Sequence, residues 1–222
     1  MIKQGEKLEN IKYNEMKEIV EKGYDSNKYS DFYRKSKKLN HFEKLYFDTL
    51  INNLPKKSAI LDLGCGTGIP YDLYLSMNNE YNIIGIDISE THINIAKKNI
   101  PKGNYIKGDF TQYNFQNEKY DAIIALYSIF HIPKEEHNKL IKKIHKYLKK
   151  NEYILITMGV RETDGIEIED DFCGNIRMAW SHYDYKKNIE LLNNNGFRIL
   201  KYDNENDFGS DEHHLWILAQ RI

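Results

Sequence analysis

Apolar residues recur at helical spacing in two stretches near the start of the chain, and the rhythm then changes. Leu8, Ile11, Met16, Ile19 and Val20 form the first stripe; Leu39, Phe42, Leu45, Tyr46, Leu50 and Leu54 form a cleaner one. Two amphipathic helices are therefore predicted, separated by the polar, tyrosine-rich stretch from Gly23 to Tyr33. After Pro55, short apolar runs alternate with longer periodic segments. Ala59 to Leu63, Tyr81 to Ile86, Asn104 to Ile106, Tyr120 to Leu126 and Tyr153 to Met158 read as strands, because strands buried on both faces are nearly continuous apolar runs. Glu135 to Leu148, with Leu140, Ile141, Ile144, Tyr147 and Leu148 on one stripe, is the clearest crossover helix. Asp184 to Asn195 is a further helix, with Gly196 at its C′ position. Phe197 to Lys201 and Leu215 to Ala219 are the last two strands. Only the loop Tyr202 to His214 joins them, with no crossover helix, so they should pair antiparallel at one end of the sheet.

This βαβα alternation predicts an α/β fold with a mostly parallel, doubly wound sheet of seven strands and an antiparallel last strand. Residues 1–55 are expected to form a helical cap or lid, and residues 56–222 the sheet domain. A chain of 222 residues with 41% hydrophobic residues has ample material for one core. Its 32 basic and 33 acidic residues leave a net charge of -1, which argues against a nucleic-acid binder that works by neutralising phosphates. Two cysteines, Cys65 and Cys173, with no CxxC spacing, exclude a disulfide scaffold and point to a reducing cytoplasm. No apolar run is long enough for a membrane span, and none resembles a leader at the N-terminus. The 17 tyrosines, against 9 phenylalanines, hint at pockets of mixed polarity.

The chemistry concentrates where the first strand ends, at Ile60-Leu61-Asp62-Leu63-Gly64-Cys65-Gly66-Thr67-Gly68. Glycines at a strand-to-helix turn let the backbone approach a ligand, and the open amides of the helix start favour polar or anionic ligand atoms. A dinucleotide fingerprint would carry a third Gly or Ala at position 69, where Ile69 stands. Asp87, at the end of the second strand, is at the distance of an acid that accepts hydrogen bonds from both ribose hydroxyls. Taken singly, Asp87 fits equally a cap on the helix starting near Ser89, and Asp109 an Asx turn. Together with the glycine turn they stand at successive strand C-termini, the edge where open α/β sheets bind ligands.

From about Lys57 to Ile222 the chain resembles the class I S-adenosylmethionine-dependent methyltransferases of small-molecule type. Leu61 to Gly68 is similar to that family's first motif, Asp87 to its ribose-binding acid, and Gly108-Asp109-Phe110 to its third motif. Tyr120 to Leu126 resembles the fourth strand, and Ile129-Phe130-His131-Ile132-Pro133 the turn after it. The resemblance implies S-adenosyl-L-methionine as cofactor and a Rossmann-like fold. It implies cofactor contacts from Asp62, Gly64, Cys65, Gly66, Gly68, Asp87, Ile88, Asp109, Phe110 and Leu126. Asp62, inside a strand, would orient the glycine loop or meet the methionine ammonium through water.

The sulfonium is already activated, so no metal and no covalent nucleophile are demanded; a base helps only for a hydroxyl or other weakly acidic acceptor. His131 is the positional candidate for a base. Met178 to Asp184 lies where this fold inserts substrate-recognition elements. There Trp180 offers an apolar wall, His182 and Tyr183 polar or proton-transfer groups, and Asp184 either a charge for a cationic acceptor or, like Ser181, a helix cap. His214, beside the acidic loop, is a further substrate-side candidate. The stretch from Gly23 to Tyr33 resembles the segment that closes over the cofactor in many family members, with Tyr24 and Tyr33 facing the cofactor and Tyr29 the substrate; simple aromatic packing is the rival. The expected partner is a small-molecule methyl acceptor, with no nucleic acid and no membrane, and the protein a monomer or homodimer. A nucleic-acid or protein methyltransferase, a non-catalytic cofactor-binding module and an NAD-dependent oxidoreductase are the alternatives. Leu126-Tyr127-Ser128-Ile129 stands where base-modifying members carry an Asn/Asp-Pro-Pro-Tyr/Phe sequence.

Overall fold

In the computed structural model, residues 4–26, 38–77, 80–208 and 213–222 are described, with backbone alone for 4–12. Five strands run parallel: β1 (Ala59–Leu63), β2 (Asn82–Asp87), β3 (Asn104–Lys107), β4 (Tyr120–Ala125) and β5 (Leu148–Gly159). A hairpin of β6 (Glu167–Phe172) and β7 (Ile176–Trp180) then leaves the sheet, and β8 (Phe197–Asn204) and β9 (His214–Arg221) complete it. The seven strands lie in the order β3-β2-β1-β4-β5-β9-β8, with β9 antiparallel to both its neighbours. This is the predicted Rossmann-like sheet with its antiparallel last strand. Crossing to the other edge after β3 leaves a switch point beside β1, where such sheets bind ligands.

Helices cover both faces. On one side α2 (His41–Asn53) and the short α3 (Tyr71–Ser76) pack Phe42, Tyr46, Phe47, Leu50, Tyr71 and Leu75 against Ile60, Ile124, Leu155 and Trp216. A capping box starts α2: Asn40 Oδ1 accepts from the Glu43 amide, and the Glu43 carboxylate accepts from the Asn40 amide, both at 2.8 Å. On the other side α5 (Lys134–Tyr147) buries Leu140, Ile141, Ile144 and Tyr147, and α6 (Tyr185–Asn194) buries Leu192, against Ile123, Ile154, Ile156 and Ile217. Between β2 and β3, α4 (Glu90–Asn99) packs Ile93 and Ala96 on Tyr105 and Cys65.

The first helix, α1 (Gln4–Asp25), runs further than its sequence pattern predicts, straight through Gly23. The glycine is there for closeness and does not break the helix. A Cβ at position 23 would stand 2.8 Å from Met178 Cε and 2.9 Å from the Arg177 carbonyl oxygen, so only a bare backbone lets α1 settle on β7. Met16, Ile19 and Val20 complete the contact with Ile176, Met178 and Ala179, each such buried side chain contributing about 1.5–3 kcal/mol. The segment before Asp184, expected to hold recognition elements, is thus partly a hairpin that forms one layer with α1. Asp184 itself caps α6, its side chain accepting from the Lys187 amide at 2.9 Å. Tyr29 and Tyr33 lie outside the described residues.

Two buried histidines give the fold a pH signature. His137, on α5, is 1% exposed, and burial pushes its pKa down to about 4 against the opposing hydrogen bond to the Ile132 carbonyl. His131 is likewise pushed down to about 4 by burial. The unfolded chain takes up these protons near pH ~6.5, so between that pH and about 4 it binds more protons than the native state. Stability from each histidine is therefore present above that window and lost as pH falls through it, on the order of 3 kcal/mol apiece. The thermal midpoint should fall on acidification through this window, and His137→Phe should make the fall shallower. An unchanged slope would show that His137 titrates normally.

Candidate active site

The site is built from the C-terminal ends of β1, β2, β3 and β4, under α1. Gly64 and Cys65 donate their amides to the Ile86 carbonyl, at 2.8 and 3.1 Å, which folds the glycine loop back across the end of β2. Gly64 has φ +86°, and a Cβ there would lie 2.4 Å from Ser128 Cβ. The loop passes so close to the turn after β4 that only glycine fits. Ser128 Oγ donates to the Leu63 carbonyl at 2.6 Å and locks the two turns together.

Asp87 is 6% exposed. Its Oδ2 accepts from the Gly66 amide at 2.8 Å and its Oδ1 from the Ser89 amide at 2.9 Å, with His92 Nδ1 3.6 Å from Oδ1. Burial alone would raise its pKa; the His92 side chain and then the Ser89 and Gly66 amides outweigh it and hold the carboxyl below the usual range. A carboxylate offers about four acceptor positions, so two backbone amides leave capacity for ligand hydroxyls. Asp62 lies beneath the loop, 3% exposed, and hydrogen-bonds Asp72, which in turn accepts from the Tyr105 hydroxyl at 2.9 Å. Burial pushes the Asp72 carboxyl well up, with Tyr105 and Asp62 pulling the other way. The two acids thus form a buried pair that holds the loop from below.

A cavity above these groups is lined by Gly64, Cys65, Gly66, Thr67, Asp87, Ile88, Phe110, Leu126, Tyr127 and Ser128, and closed by Val20, Tyr24 and His131. Of the residues predicted from the glycine motif, Gly68 packs under the loop instead: a Cβ there would stand 2.5 Å from Ile100 Cδ1. Asp109 is not among the lining residues: its Oδ1 accepts from the Thr111 amide and hydroxyl, and its Oδ2 lies 3.1 Å from Lys17 Nζ. Sequence reading passed over Thr67, His92, Tyr127, Ser128 and Val20. The only available signal for them was adjacency to the motifs.

One row of polar residues on α1 reaches the strand ends. Tyr13 meets Thr111 Oγ1 at 2.6 Å, Lys17 meets Asp109, Glu21 accepts from Lys107 at 2.7 Å, and Asp25 Oδ1 accepts from Ser89 Oγ at 2.6 Å. These are spaced four apart, one helical face. Tyr24 adds the contact nearest the cavity: its hydroxyl lies 2.6 Å from His131 Nε2, while His131 Nδ1 lies 2.8 Å from the Ala179 carbonyl of β7. A carbonyl only accepts, so Nδ1–H donates to it, and the neutral ring accepts a hydrogen bond from the Tyr24 hydroxyl at Nε2.

A second cavity adjoins the first across the turn Tyr127 to His131. Phe130, Trp180, His182 and His214 line it, together with Gly159 and Val160. Three of the predicted acceptor-side residues, Trp180, His182 and His214, are therefore brought together. Tyr183 is not with them. Its ring packs edge-on to His137, with Lys134 and Lys187 over its face.

Comparisons with known proteins agree with this geometry. Residues 60–151, which carry the glycine loop, Asp87, Asp109 and His131, match the family model of the methyltransferase domain. A carboxy-S-adenosyl-L-methionine synthase of Nautilia profundicola is 29% identical over 181 residues, 71% of this chain and 76% of that protein. A phosphoethanolamine N-methyltransferase of Plasmodium falciparum is 29% identical over 130 residues, 57% of this chain and 44% of that protein. Among solved structures, magnesium protoporphyrin IX methyltransferase of Synechocystis PCC 6803 with bound S-adenosylhomocysteine shares the fold. Its TM-score is 0.68 at 18% identity, over 93% of this chain and 100% of that one. The glycine cradle, the ionised acid at the end of β2 and the apolar walls of Ile88, Phe110 and Leu126 suit a nucleoside with an amino-acid tail, and with the family match they lead to one conclusion. Residues 60–151 carry a methyltransferase domain, and the chain is a methyltransferase that uses S-adenosylmethionine as cofactor.

Proposed function

We propose that the enzyme methylates a small molecule, which reaches the cofactor from the second cavity. The observation that carries this reading is the pairing of two adjoining cavities, one closed over by α1 and the other confined between the β4 turn, β5 and the end of β7. A macromolecular acceptor would need an open approach, and a nucleic acid would meet the acidic strand β6, with Glu167, Glu169, Asp170 and Asp171. Among the described residues no helix is long and apolar enough to cross a membrane. With neither cysteine in a disulfide, a cytoplasmic location fits.

In this reading Asp87 holds the ribose hydroxyls, Ile88, Phe110 and Leu126 flank the adenine, and Asp109 stands at its amino edge. The loop Gly64 to Gly68, supported by Asp62 and Asp72, receives the methionine portion. S-adenosylmethionine, once bound, supplies a methyl group already activated by a positively charged sulfur. The chain's own residues then have three tasks: align the acceptor, exclude water, and deal with any proton the acceptor must lose. Tyr24 and His131 serve the second by closing α1 over the site.

Three measurements check this reading. Incubated with tritiated S-adenosylmethionine and a cell extract separated into small-molecule, RNA and protein fractions, the enzyme should label the small-molecule fraction; label confined to RNA or protein would overturn the proposal. S-adenosylhomocysteine at about 100 times its Kd should add ~2.7 kcal/mol to the native state, a rise of roughly 5–10 °C in thermal midpoint. Asp87→Asn should lose most of that ligand-induced increment, whatever happens to the midpoint without ligand; an intact increment would remove Asp87 from the ribose. Tyr24→Phe keeps the ring against His92 and His131 but removes the hydroxyl bond. Release of S-adenosylhomocysteine, followed by stopped flow, should then be roughly tenfold faster, and an unchanged rate would exclude the closing role.

A further inference from the structure

The buried acids of this protein have no buried lysine or arginine to match them. Among the described residues five acids are buried, Glu43, Asp62, Asp72, Asp87 and Glu205, while every lysine and arginine keeps some access to solvent. Asp87 lines the cofactor cavity, and Asp62 and Asp72 lie under its glycine loop. The other two reach the cavity through tyrosines that line it. The Tyr71 hydroxyl donates to Glu43 Oε1 at 2.6 Å, and the Tyr127 hydroxyl to Glu205 Oε2 at 2.7 Å. The two rings stand together, with planes at 14° and centroids 6.4 Å apart. No described lysine or arginine lines the cavity.

Both carboxyls are well supplied with donors. Glu43 Oε2 takes the Asn40 amide at 2.8 Å, as one half of the capping box that starts α2. Glu205, in the turn between β8 and β9, also accepts from the Trp216 indole at 3.0 Å and from His214 Nδ1 at 2.5 Å. Burial alone would raise its pKa, but His214, Tyr127 and Trp216 outweigh it and hold the carboxyl below the usual range. Burying a carboxylate is costly, and apolar residues behind Tyr71 and Tyr127 would pack without that cost. What the acids supply instead is a negative potential at the cavity wall.

A potential of that sign separates the two states of the cofactor. As the acceptor's electron pair bonds to the methyl carbon, the carbon–sulfur pair stays on sulfur. The positive charge passes to the acceptor atom, which sheds it with a proton where it carries one. S-adenosylmethionine thus arrives with a positive sulfur, and S-adenosylhomocysteine leaves with a neutral one. A tyrosine side chain and its hydrogen bond span roughly 10 Å; a unit charge at that distance, at an effective dielectric constant of about 20, shifts an equilibrium about tenfold. We propose that Glu43 and Glu205, acting through Tyr71 and Tyr127, make the cavity selective for the charged form of the cofactor and so favour release of the spent one. This rests on the cofactor reading above and assigns two specificity-determining residues to it, neither of which lines the cavity itself.

The test is isothermal titration calorimetry on the full chain, at about pH 8, where an ordinary histidine is neutral. Three ligands are compared: S-adenosylmethionine, S-adenosylhomocysteine, and sinefungin, which carries an ammonium group in place of the methylated sulfur. Glu43→Gln and Glu205→Gln keep the shape of each side chain and remove its charge. Each should weaken the two cationic ligands roughly tenfold and S-adenosylhomocysteine less than about twofold, a split that a merely structural role would not produce. In a folded variant, a loss shared equally by all three ligands, or no loss, overturns the assignment of that residue. If neither variant folds, the wild type decides. Sinefungin should bind it roughly tenfold more tightly than S-adenosylhomocysteine does, and equal or weaker binding overturns the proposal. Failure of the wild type to bind any of the three would instead fault the cofactor reading, so the two failures are distinguishable.

Discussion

A single carboxylate, Asp87, ties together the elements on which the site depends. Parallel pairing of β1 with β2 brings the end of one strand beside the end of the other, and an ionised group buried there must find donors. It takes one from the glycine loop at Gly66 and one from the start of α4 at Ser89. Ser89 then passes the connection on, its hydroxyl reaching Asp25 at the end of α1. Loop, sheet, helix and cap thus share one polar chain. The glycine loop has its shape because the acid beside it needs amides, as much as because a ligand does.

Above this base the protein divides into a sheet body and a cap of α1 with the β6–β7 hairpin, two layers held by different forces. The cap coheres through apolar packing and the bare backbone at Gly23. It meets the body through a polar row whose exposed members contribute little individually. His131 is the joint: one nitrogen takes Tyr24 of α1 and the other the Ala179 carbonyl of β7, so one ring on the body grips both parts of the cap. Burial keeps that ring neutral, which suits a grip made of one donor and one acceptor.

The sheet was legible in the sequence because its physics is local. Parallel strands buried on both faces appear as apolar runs such as Ala59 to Leu63, and the missing crossover after Lys201 announces an antiparallel strand. The glycine loop and Asp87 were legible because strand ends impose spacing. The hairpin was not: Glu167 to Phe172 is mostly acidic and exposed, and it becomes a strand only by pairing with β7 under α1. Gly23 looked like the end of a helix because its purpose, contact with Met178, lies 155 positions away. Glu205 carried no local mark at all. Its partners come from the β4 turn and β9, and only the assembled fold reveals that an acid in a polar turn is buried.

The place of β9 bears on how the molecule is made. Of the nine strands among the described residues it is made last, yet it occupies an interior slot, with Leu215 to Ala219 buried between β5 and β8. Until it inserts, β5 shows an open, largely apolar edge from Tyr153 to Gly159 and β8 has no partner, a condition that favours association with other chains and gives chaperones something to hold. His214 opens that strand and Glu205 opens the turn before it. The wall of the second cavity is therefore complete only once β9 has inserted.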